Sequence, residues 1–416
     1  MMKSRDVKKV DIVIAGAGPV GLAAACSLSG TGLQILLIDA GKEAFTLDEI
    51  RKNADQAEFD PRVSALTVSS QIMLEQLGVW ELMQSARVCP YHSMDVWDGE
   101  GTGSIHFAAA ELHAESLGHI VENRLINAAL FERVKSSPQI TTLHNTEIEA
   151  INTGENPDSS LVIVTLANGD KVAASLLIGA DGGNSFIREQ SGFTVRQWEY
   201  GHKALVTTVK TESGHQFSAR QRFMKTGPLA FLPLFLATAD KSEQQYCSIV
   251  WSCVTEEADA LIALDDNEFM QRLGEAFEFR LGKILEIDDR ASFPLWQRHA
   301  TDYVQDNIAL IGDAAHSIHP LAGQGVNMGF ADVEELSQVI SSALVKGEDI
   351  ACHQTLSRYQ RARKGQNMTM MAAMEGFKRL FGSEDPGLKW LRNSGLKLTD
   401  KLPGVKKQLM RQAMGL

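Results

Sequence analysis

The chain has few cysteines and no long apolar run, and these two absences narrow the class of protein. Its 416 residues include five cysteines, which are widely spaced and form no CxxC pair. A disulfide framework or a zinc site is therefore not expected, and a reducing cytoplasm is the predicted compartment. No run of about 18 apolar residues occurs, so no transmembrane helix is predicted. The apolar run near the N-terminus contains three glycines and is unlike a signal peptide.

Excess positive charge and the common hydrolase motifs are also missing. Lysine and arginine total 40 against 52 acidic residues, a formal net charge of −12, so a general nucleic-acid binder is not expected. Neither HExxH nor GxSxG occurs, which argues against a zinc peptidase and a serine hydrolase. The hydrophobic fraction of 44% and the charged fraction of 22% are those of a folded protein, and the length suits two or three domains.

The first part of the chain has the pattern of a nucleotide-binding unit. It predicts a buried strand, a glycine-rich turn, a helix and a second buried strand, at residues 10–15, 16–21, 22–28 and 34–38. Gly16 permits a tight turn, Gly18 lets a pyrophosphate approach the backbone, and Gly21 allows close packing of the helix on the strand. Asp39 ends the second strand, where a carboxylate can bind ribose hydroxyls. The pattern predicts an α/β fold with a Rossmann-like unit that binds a dinucleotide.

Two further glycine motifs follow apolar strands. Residues 179–185 (GADGGNS) place Asp181 in a tight turn, where its carboxylate either orients a ligand or caps the next helix. Residues 312–325 (GDAAHSIHPLAGQG) begin with Asp313 near a strand end, where it can bind a ribose or ribityl hydroxyl. A helix predicted at residues 326–344 would offer its N-terminal N–H groups to an anion or a polarised carbonyl.

Four other segments carry expectations of their own. Residues 41–60 are polar and predict a surface excursion, and residues 200–255 predict an antiparallel sheet. The Met-rich helix at residues 368–381 either packs as an ordinary helix face or lines a lipid channel. Residues 387–416 hold seven basic side chains against one acid. This tail either lies on an anionic membrane or a partner, or packs on the protein's own acidic body.

Taken together, the three glycine motifs resemble those of the FAD-dependent aromatic hydroxylases of the para-hydroxybenzoate hydroxylase type, over residues 10–330. Three strings resemble the ubiquinone-biosynthesis branch of that family, namely 62–66 (RVSAL), 117–123 (LGHIVEN) and 319–327 (HPLAGQGVN). Residues 89–98 and 402–416 look most like the member that hydroxylates ring carbon 5 of a 2-polyprenylphenol. A sister member, which acts on 3-demethoxyubiquinol, shares much of this pattern.

The resemblance implies a fold class and a division into domains. The class is α/β, with a Rossmann-like FAD-binding domain, an inserted antiparallel β-sheet substrate domain and a helical C-terminal segment. The implied segments are, in chain order, 1–90 (FAD-binding, first part), 91–115 (substrate-domain strands), 116–192 (FAD-binding, second part), 193–295 (substrate-binding β-sheet), 296–365 (FAD-binding, third part) and 366–416 (helical and basic).

The resemblance also implies which residues hold the cofactor. The implied FAD-binding residues are Gly16, Gly18, Gly21, Asp39, Arg62, Arg124, Asp181, Gly312, Asp313, Gly323, Gly325, Val326 and Asn327. Asp39 would bind the adenosine ribose, although relatives usually have Glu there, and Asp313 would hold the ribityl chain. Pro320 through Asn327 would lie along the isoalloxazine ring. His316 and Pro320 are the catalytic candidates, although a histidine in such a loop is more often structural, and no metal ligand is implied.

The implied reaction is a monooxygenation. FAD would take reducing equivalents from NADH or NADPH, activate O2 and transfer one oxygen atom to the ring of a polyprenylated phenol. Two alternatives stay open, a flavin-dependent lipid reductase and an FAD-stabilised scaffold without turnover. The implied partners are the phenol, O2 and other proteins of ubiquinone biosynthesis, with no nucleic acid. A homo-oligomer and peripheral contact of this cytoplasmic protein with the inner membrane are left open.

Overall fold

The computed structural model describes most of the chain as helices and strands that assemble into three sheets. The described residues are 7–43, 45–153, 161–240, 243–317, 325–382, 385, 387, 393–395, 398–400 and 402–416. The strands are β1 (Lys8–Ala15), β2 (Ile35–Ile38), β3 (Val63–Leu66), β4 (Val88–Tyr91), β5 (Ser93–Asp98), β6 (Ser104–Ala108), β7 (Gly118–Glu122), β8 (Ile140–Leu143), β9 (Ile148–Asn152), β10 (Val162–Leu166), β11 (Lys171–Gly179), β12 (Val195–Thr211), β13 (Ser218–Met224), β14 (Gly227–Pro233), β15 (Tyr246–Val254), β16 (Ile284–Ile287), β17 (Ala291–Ala300), β18 (Val304–Gln305), β19 (Ile308–Leu310) and β20 (His316–Ser317). The helices are α1 (Pro19–Ser29), α2 (Leu47–Lys52), α3 (Val68–Gln76), α4 (Trp80–Gln84), α5 (Asn123–Lys135), α6 (Phe186–Gln190), α7 (Thr255–Ala263), α8 (Asp266–Ala276), α9 (Gly325–Lys346), α10 (His353–Gly382) and α11 (Pro403–Ala413).

The eight-stranded sheet brings the three glycine motifs to one edge. Its order is β18-β19-β11-β1-β2-β8, with β10 and β9 attached beside β11. β1 is parallel to β2 and to β11, and β11 is parallel to β19. Ala15 therefore lies beside Gly179, which lies beside Leu310. Because the carboxyl ends of parallel strands coincide, the loops that follow these three strands converge, as in other open α/β sheets.

The nine-stranded sheet is built from three separated parts of the chain. Its order is β20-β17-β12-β15-β14-β13-β5-β6, with β16 paired to β12. All its pairs are antiparallel except β13 with β5. Helices α7 and α8 cover one face, where Leu205, Trp251 and Phe269 pack in one apolar cluster. A small third sheet, β3-β7-β4, is antiparallel. The domain boundaries drawn from the sequence stay a prediction.

Residues 41–60 differ from the polar excursion that the sequence predicts, because they contain the short helix α2. Thr46 and Glu49 form a capping box, in which Thr46 Oγ1 accepts from Glu49 N and the Glu49 carboxylate accepts from Thr46 N. Leu47 and Ile50 are buried in the core. Only two apolar side chains mark this buried face, so hydrophobic periodicity does not reveal the helix, although the capping box does.

The C-terminal helix α11 packs on the body of the protein. Met410 and Met414 are buried in a cluster with Ala109 and Leu117. Lys406 Nζ donates to Glu111 at 2.8 Å and to Asp400 at 3.1 Å. The described part of the tail therefore docks intramolecularly, while membrane contact stays a prediction. None of the described helices combines the length and the apolar character needed to cross a bilayer.

Candidate functional site

A cavity of about 970 Å³ lies between the converging glycine motifs and the nine-stranded sheet. One wall carries backbone and carboxylate groups, including those of Gly16, Gly18, Asp39, Asp181 and Asp313. Another wall is apolar and is made by Ala204, Val206, Val250, Phe293 and Leu295. The sequence analysis did not single out this apolar wall. Its signal is the alternation of side chains along β12, which places residues 204 and 206 on the same face.

The three glycines of the first motif differ in what surrounds them. Gly16 has φ +104°, and a Cβ there would lie 2.4 Å from the Ala180 carbonyl oxygen. A Cβ on Gly21 would lie 1.9 Å from the carbonyl oxygen of Gly16. Gly18 has an ordinary φ of −72°, a Cβ on it would meet nothing within 4 Å, and it faces the cavity. Protein packing explains Gly16 and Gly21, whereas Gly18 leaves room for a ligand.

The N-terminus of α1 supplies hydrogen-bond donors beside Gly18. No side chain in the described part of the chain caps this helix, which begins at Pro19. The N–H groups of a first helical turn have no partners within the helix, and the helix dipole favours negative charge there. An anionic group in the cavity can therefore accept hydrogen bonds from this turn.

Asp39 faces the cavity and is held by the first motif itself. Its Oδ2 accepts from Ala17 N at 2.5 Å and its Oδ1 accepts from Gly41 N at 2.6 Å. A carboxylate offers about four lone-pair positions, so two remain for hydroxyl donors. The carboxylate is fixed by the backbone before any ligand binds.

Asp181 also faces the cavity, but its carboxylate is engaged in capping. Its Oδ1 accepts from Ser185 Oγ at 2.5 Å and its Oδ2 accepts from Ile187 N at 3.0 Å. Ser185 Oγ in turn accepts from Arg188 N at 3.0 Å. Of the two readings that the sequence leaves open, these contacts favour a cap on α6.

Asp313 and Arg62 are charged residues of the cavity wall whose side chains have no partner among the described residues. The Asp313 carboxylate and the Arg62 guanidinium both line the cavity and make no hydrogen bond or ion pair with the described residues. The Asp313 side chain is exposed to the cavity, and the protein that surrounds it raises the pKa of its carboxyl. An unpaired acceptor and an unpaired cation in one cavity are suited to a ligand with hydroxyl and anionic groups.

Arg124 does not line the cavity. Its guanidinium contacts Glu122 at 2.8 Å and donates to the Glu58 carbonyl oxygen at 2.7 Å. Its backbone N–H donates to Asp60 Oδ2 at 3.0 Å, and Arg62 N donates to the other oxygen of Asp60. Arg124 therefore supports the loop that presents Arg62, and its own contact with the cofactor stays a prediction.

Asn327 lies on the far side of the first turn of α9. Its Oδ1 accepts from Thr67 N at 3.0 Å and from Ser70 Oγ at 2.7 Å, and its Nδ2 donates to Ala65 O at 2.8 Å. Gly325 and Val326, by contrast, line the cavity. The side chain of Asn327 thus fastens α9 to the segment that joins β3 and α3.

His316 is buried and turned away from the cavity lining. Its Nε2 lies 2.6 Å from Asp332 Oδ2, and Arg363 Nε donates to Asp332 Oδ1 at 2.8 Å. Burial alone would raise the pKa of Asp332, but His316 and Arg363 together hold it below its ordinary value. The sequence analysis missed Asp332, whose signal is an acid among the apolar residues on the inner face of α9.

Two arginines connect the second glycine motif to neighbouring segments, and the sequence analysis assigned neither a role. Arg188 donates to Gly183 O at 2.8 Å and to Ala314 O at 3.0 Å, and Arg298 donates to Gly183 O at 3.0 Å. Burial and the nearby Arg298 lower the pKa of Arg188. Arg188 therefore ties the second motif to the third.

Pro320, Gly323 and His319 lie outside the described residues.

These groups fit a dinucleotide such as FAD. The open space at Gly18 and the uncapped N-terminus of α1 suit a pyrophosphate, and the free Asp313 carboxylate suits a hydroxyl donor. The fit depends on polar groups that the protein holds in place but that have no hydrogen-bond partner among the described residues.

Comparison with known proteins gives the same assignment from sequence. Residues 9–373 match the family described as FAD binding domain. The 3-demethoxyubiquinol 3-hydroxylase of Escherichia coli strain K12 is 35% identical over 407 residues, which cover 98% of each chain. The mitochondrial ubiquinone biosynthesis monooxygenase COQ6 of Xenopus tropicalis is 36% identical over 445 residues, covering 96% of this chain and 92% of that protein.

A solved structure supports the fold. The p-nitrophenol 4-monooxygenase PnpA of Pseudomonas putida DLL-E4 superimposes with a TM-score of 0.75 at 17% identity, covering 98% of this chain and 99% of that one. This likeness confirms the predicted fold class. Together with the family match and the two relatives, it places the chain in the family of FAD-dependent monooxygenases to which the hydroxylases of ubiquinone biosynthesis belong.

Proposed function

We propose that this chain hydroxylates the aromatic ring of a polyprenylated phenol or quinol in ubiquinone biosynthesis, with NADH or NADPH and O2 as co-substrates. The observation that carries the proposal is a single cavity with a dinucleotide-type wall and an apolar wall. A monooxygenase must hold its ring substrate against its cofactor, and this cavity has room for both. The names of the relatives support the substrate class.

On the cofactor side of the cavity, the role of the protein's own groups is to bind and orient FAD. When bound, FAD would supply the redox chemistry of nicotinamide oxidation and O2 activation. The backbone at Gly18 and the first turn of α1 hold the pyrophosphate, because both are open to the cavity. Asp39 accepts from a ribose hydroxyl with its remaining lone pairs, and Asp313 accepts from the ribityl chain. Arg62 adds a positive charge at the cavity wall.

On the substrate side, the apolar wall selects an apolar ring with a hydrocarbon tail. Ala204 and Val206 are buried, while Phe293 is 45% exposed at the cavity. Covering Phe293 with a prenylated ring removes apolar surface from water, at about 25 cal/mol per Å². The same contact keeps water from the reacting centre, which protects the oxidising equivalents from wasteful decay.

Two ring positions are candidates for hydroxylation. Residues 89–98 and 402–416 look like the members that act at ring carbon 5 of a 2-polyprenylphenol, which is the reaction we propose first. The second candidate is the hydroxylation of 3-demethoxyubiquinol. It is favoured by the Escherichia coli relative, whose 35% identity extends over 98% of both chains.

The proposal includes peripheral contact with a membrane from the cytoplasmic side. A polyprenylated substrate resides in the bilayer, so the protein must meet the bilayer surface or a lipid-presenting partner. On the outer side of α11, Leu402, Val405 and Leu409 are exposed. These side chains are available for such contact, although the buried face of the same helix packs on the protein.

A product assay with the purified holoenzyme tests the function. The protein is supplied with NADH or NADPH, heavy-isotope O2, and either a 2-polyprenylphenol or a 3-demethoxyubiquinol, and products are read by mass spectrometry. We expect the gain of one labelled oxygen atom on one of the two substrates. Substrate-dependent nicotinamide oxidation that needs no O2 would instead indicate a reductase. No labelled product from either substrate would contradict the proposal.

A pair of variants ties the product to the cavity. Phe293→Ala should raise KM for the prenylated substrate with little effect on FAD content, because Phe293 lies on the apolar wall. The matched control is Leu285→Ala, which removes an equally exposed apolar side chain from β16 of the same sheet, away from the cavity lining. Equal effects of the two variants would argue against substrate binding at this wall.

A further inference from the structure

A single buried carboxylate holds both ends of the turn that carries Asp313. The turn runs from Gly312 to His316, and Asp313 lies in it at the cavity wall. Gly312 N donates to Asp332 Oδ2 at 3.0 Å, and His316 Nε2 lies 2.6 Å from the same oxygen. Because an ionised carboxylate only accepts, the imidazole must carry its proton on Nε2 and donate it.

The carboxylate is itself fixed from the opposite side. Arg363, on α10, donates from Nε to Asp332 Oδ1 at 2.8 Å, and its NH2 group donates to Asn367 Oδ1 at 2.9 Å. Asp332 is 0% exposed and His316 is 2% exposed. A buried ion pair in this geometry allows little movement, because any displacement would leave a charge without a partner. The turn, α9 and α10 are thereby joined at one point.

The turn has little of its own to hold its shape. It contains one short 3-10 segment, with Ala315 N donating to Gly312 O at 2.9 Å. Gly312 has φ +59°, and a Cβ there would lie 3.1 Å from Val20 of α1. A segment with few internal hydrogen bonds takes its conformation from the groups around it. Here those groups are the Asp332 carboxylate, the Arg188 guanidinium, which donates to Ala314 O at 3.0 Å, and β17, where Ala300 N donates to Ala315 O at 2.8 Å.

We propose that His316 and Asp332 are positioning residues, which fix the 312–316 turn so that Asp313 meets the cofactor, and that His316 does not transfer a proton in the reaction. The inference rests on the proposed role of Asp313 in cofactor binding. The titratable groups that face His316 are His299 on β17, Tyr303, Asp313 in the turn and Asp332 on α9; the charged Arg298 lies next to His299 on β17, and Arg363 on α10 pairs with Asp332. His316 itself is absent from the cavity lining, so its role is exerted through the turn.

Two substitutions of His316 separate positioning from proton transfer. His316→Gln keeps an N–H donor at the place of Nε2 but has no titratable group near neutral pH, whereas His316→Ala removes the donor. FAD affinity is measured on the apoprotein by flavin fluorescence, together with Tm and the pH profile of kcat for hydroxylation. We expect the glutamine variant to bind FAD within a few-fold of the parent and to keep the shape of the pH profile. We expect the alanine variant to lose about tenfold or more in FAD affinity, the scale on which loss of an outer hydrogen-bond partner weakens metal sites.

As the control, His215→Gln changes another fully buried histidine, which contacts Leu234 O and Phe217 N away from the cavity, and should leave FAD affinity unchanged. Undiminished FAD affinity in His316→Ala would overturn the positioning role. Loss of one limb of the pH profile in His316→Gln, with FAD affinity intact, would show that His316 transfers a proton. FAD affinity is measured without any phenol, so these results stand even if the proposed substrate is wrong.

Discussion

At the residue scale, the three glycines of the first motif differ in their surroundings, as their separate predicted roles require. Gly16 and Gly21 are required by the protein, since an added methyl group would overlap the backbone at either position. Gly18 has ordinary backbone angles and no atom within 4 Å of an added Cβ, so no protein contact requires glycine at this position. The sequence motif predicts a separate role for each glycine, and the contacts agree with the packing roles of Gly16 and Gly21.

This difference predicts opposite behaviour for two alanine variants. Gly18→Ala should leave the Tm of the apoprotein nearly unchanged and weaken FAD binding, because the new methyl group enters the cavity. Gly21→Ala should lower the Tm of the apoprotein itself, because its Cβ would lie 1.9 Å from the Gly16 carbonyl oxygen. Calorimetry of the apoproteins and FAD titration check both. Parental FAD affinity in Gly18→Ala would show that nothing approaches the backbone there.

At the scale of the elements, the C-terminal helix α11 packs one face on the body of the protein and leaves the other face exposed. Met410, Met414 and the stem of Lys406 face the body. Burial of Lys406 would lower its pKa, but its hydrogen bonds to Glu111 and Asp400 outweigh this and raise it. Composition alone leaves membrane docking and intramolecular docking equally open, because both need one apolar and one charged face. The register of the helix on its neighbours decides which side chains are covered.

The packing of α11 predicts a stability effect without an effect on the cofactor. Met410→Ala should destabilise the folded protein by about 2–5 kcal/mol, the range for a buried methionine truncated to alanine. FAD affinity should not change, because α11 does not line the main cavity. The matched control is Met368→Ala, since Met368 on α10 is 49% exposed and should contribute little. Urea unfolding of the two variants gives the comparison, and an equal loss in both would refute the packing assigned to α11.

At the scale of the whole molecule, buried neutral histidines make the fold sensitive to acid. His119, His215 and His299 are buried, and burial lowers the pKa of each to about 4. In the unfolded chain a histidine titrates near about 6.5. Below about pH 6.5 the unfolded chain binds protons at these histidines, whereas the folded chain does not until the pH approaches 4. The free energy of unfolding is therefore highest above about pH 6.5 and falls as the pH drops towards 4. By pH 4, each of these histidines lowers the free energy of unfolding by up to about 3 kcal/mol, which is a large share of the total stability of a typical protein.

We therefore expect Tm to fall steeply between pH 7 and about pH 5, where the unfolded chain takes up protons that the folded chain refuses. His119→Phe should make this decline shallower, because phenylalanine cannot titrate. Phenylalanine can also keep the edge-to-face contact with Trp80, whose ring centroid lies 4.9 Å from that of His119. The control is His353→Gln, which removes an exposed histidine at the start of α10. The prediction is checked by differential scanning calorimetry across the pH range. An unchanged slope in His119→Phe would show that this side chain does not account for the acid loss.

The sequence by itself determined the strand-turn-helix-strand unit, the three glycine motifs and the family. These follow from local information, namely apolar runs, glycine spacing and an acid at a strand end, and β1 pairs in parallel with β2 as that unit requires. Only the tertiary structure decided which of the motif side chains face the cavity. Asp39, Asp181 and Asp313 line it, whereas Arg124, Asn327 and His316 are engaged elsewhere.

The physical reason is that a motif acts over a few neighbouring residues, whereas side-chain contacts join residues that are far apart in the sequence. A motif specifies backbone shape within a few residues, but the partner that captures a side chain comes from another element. Asp332 and Arg363 hold His316 from 16 and 47 residues away in sequence, and the apolar wall comes from strands that follow the second motif. Those encounters depend on sheet order and helix register, which no single segment of the sequence encodes.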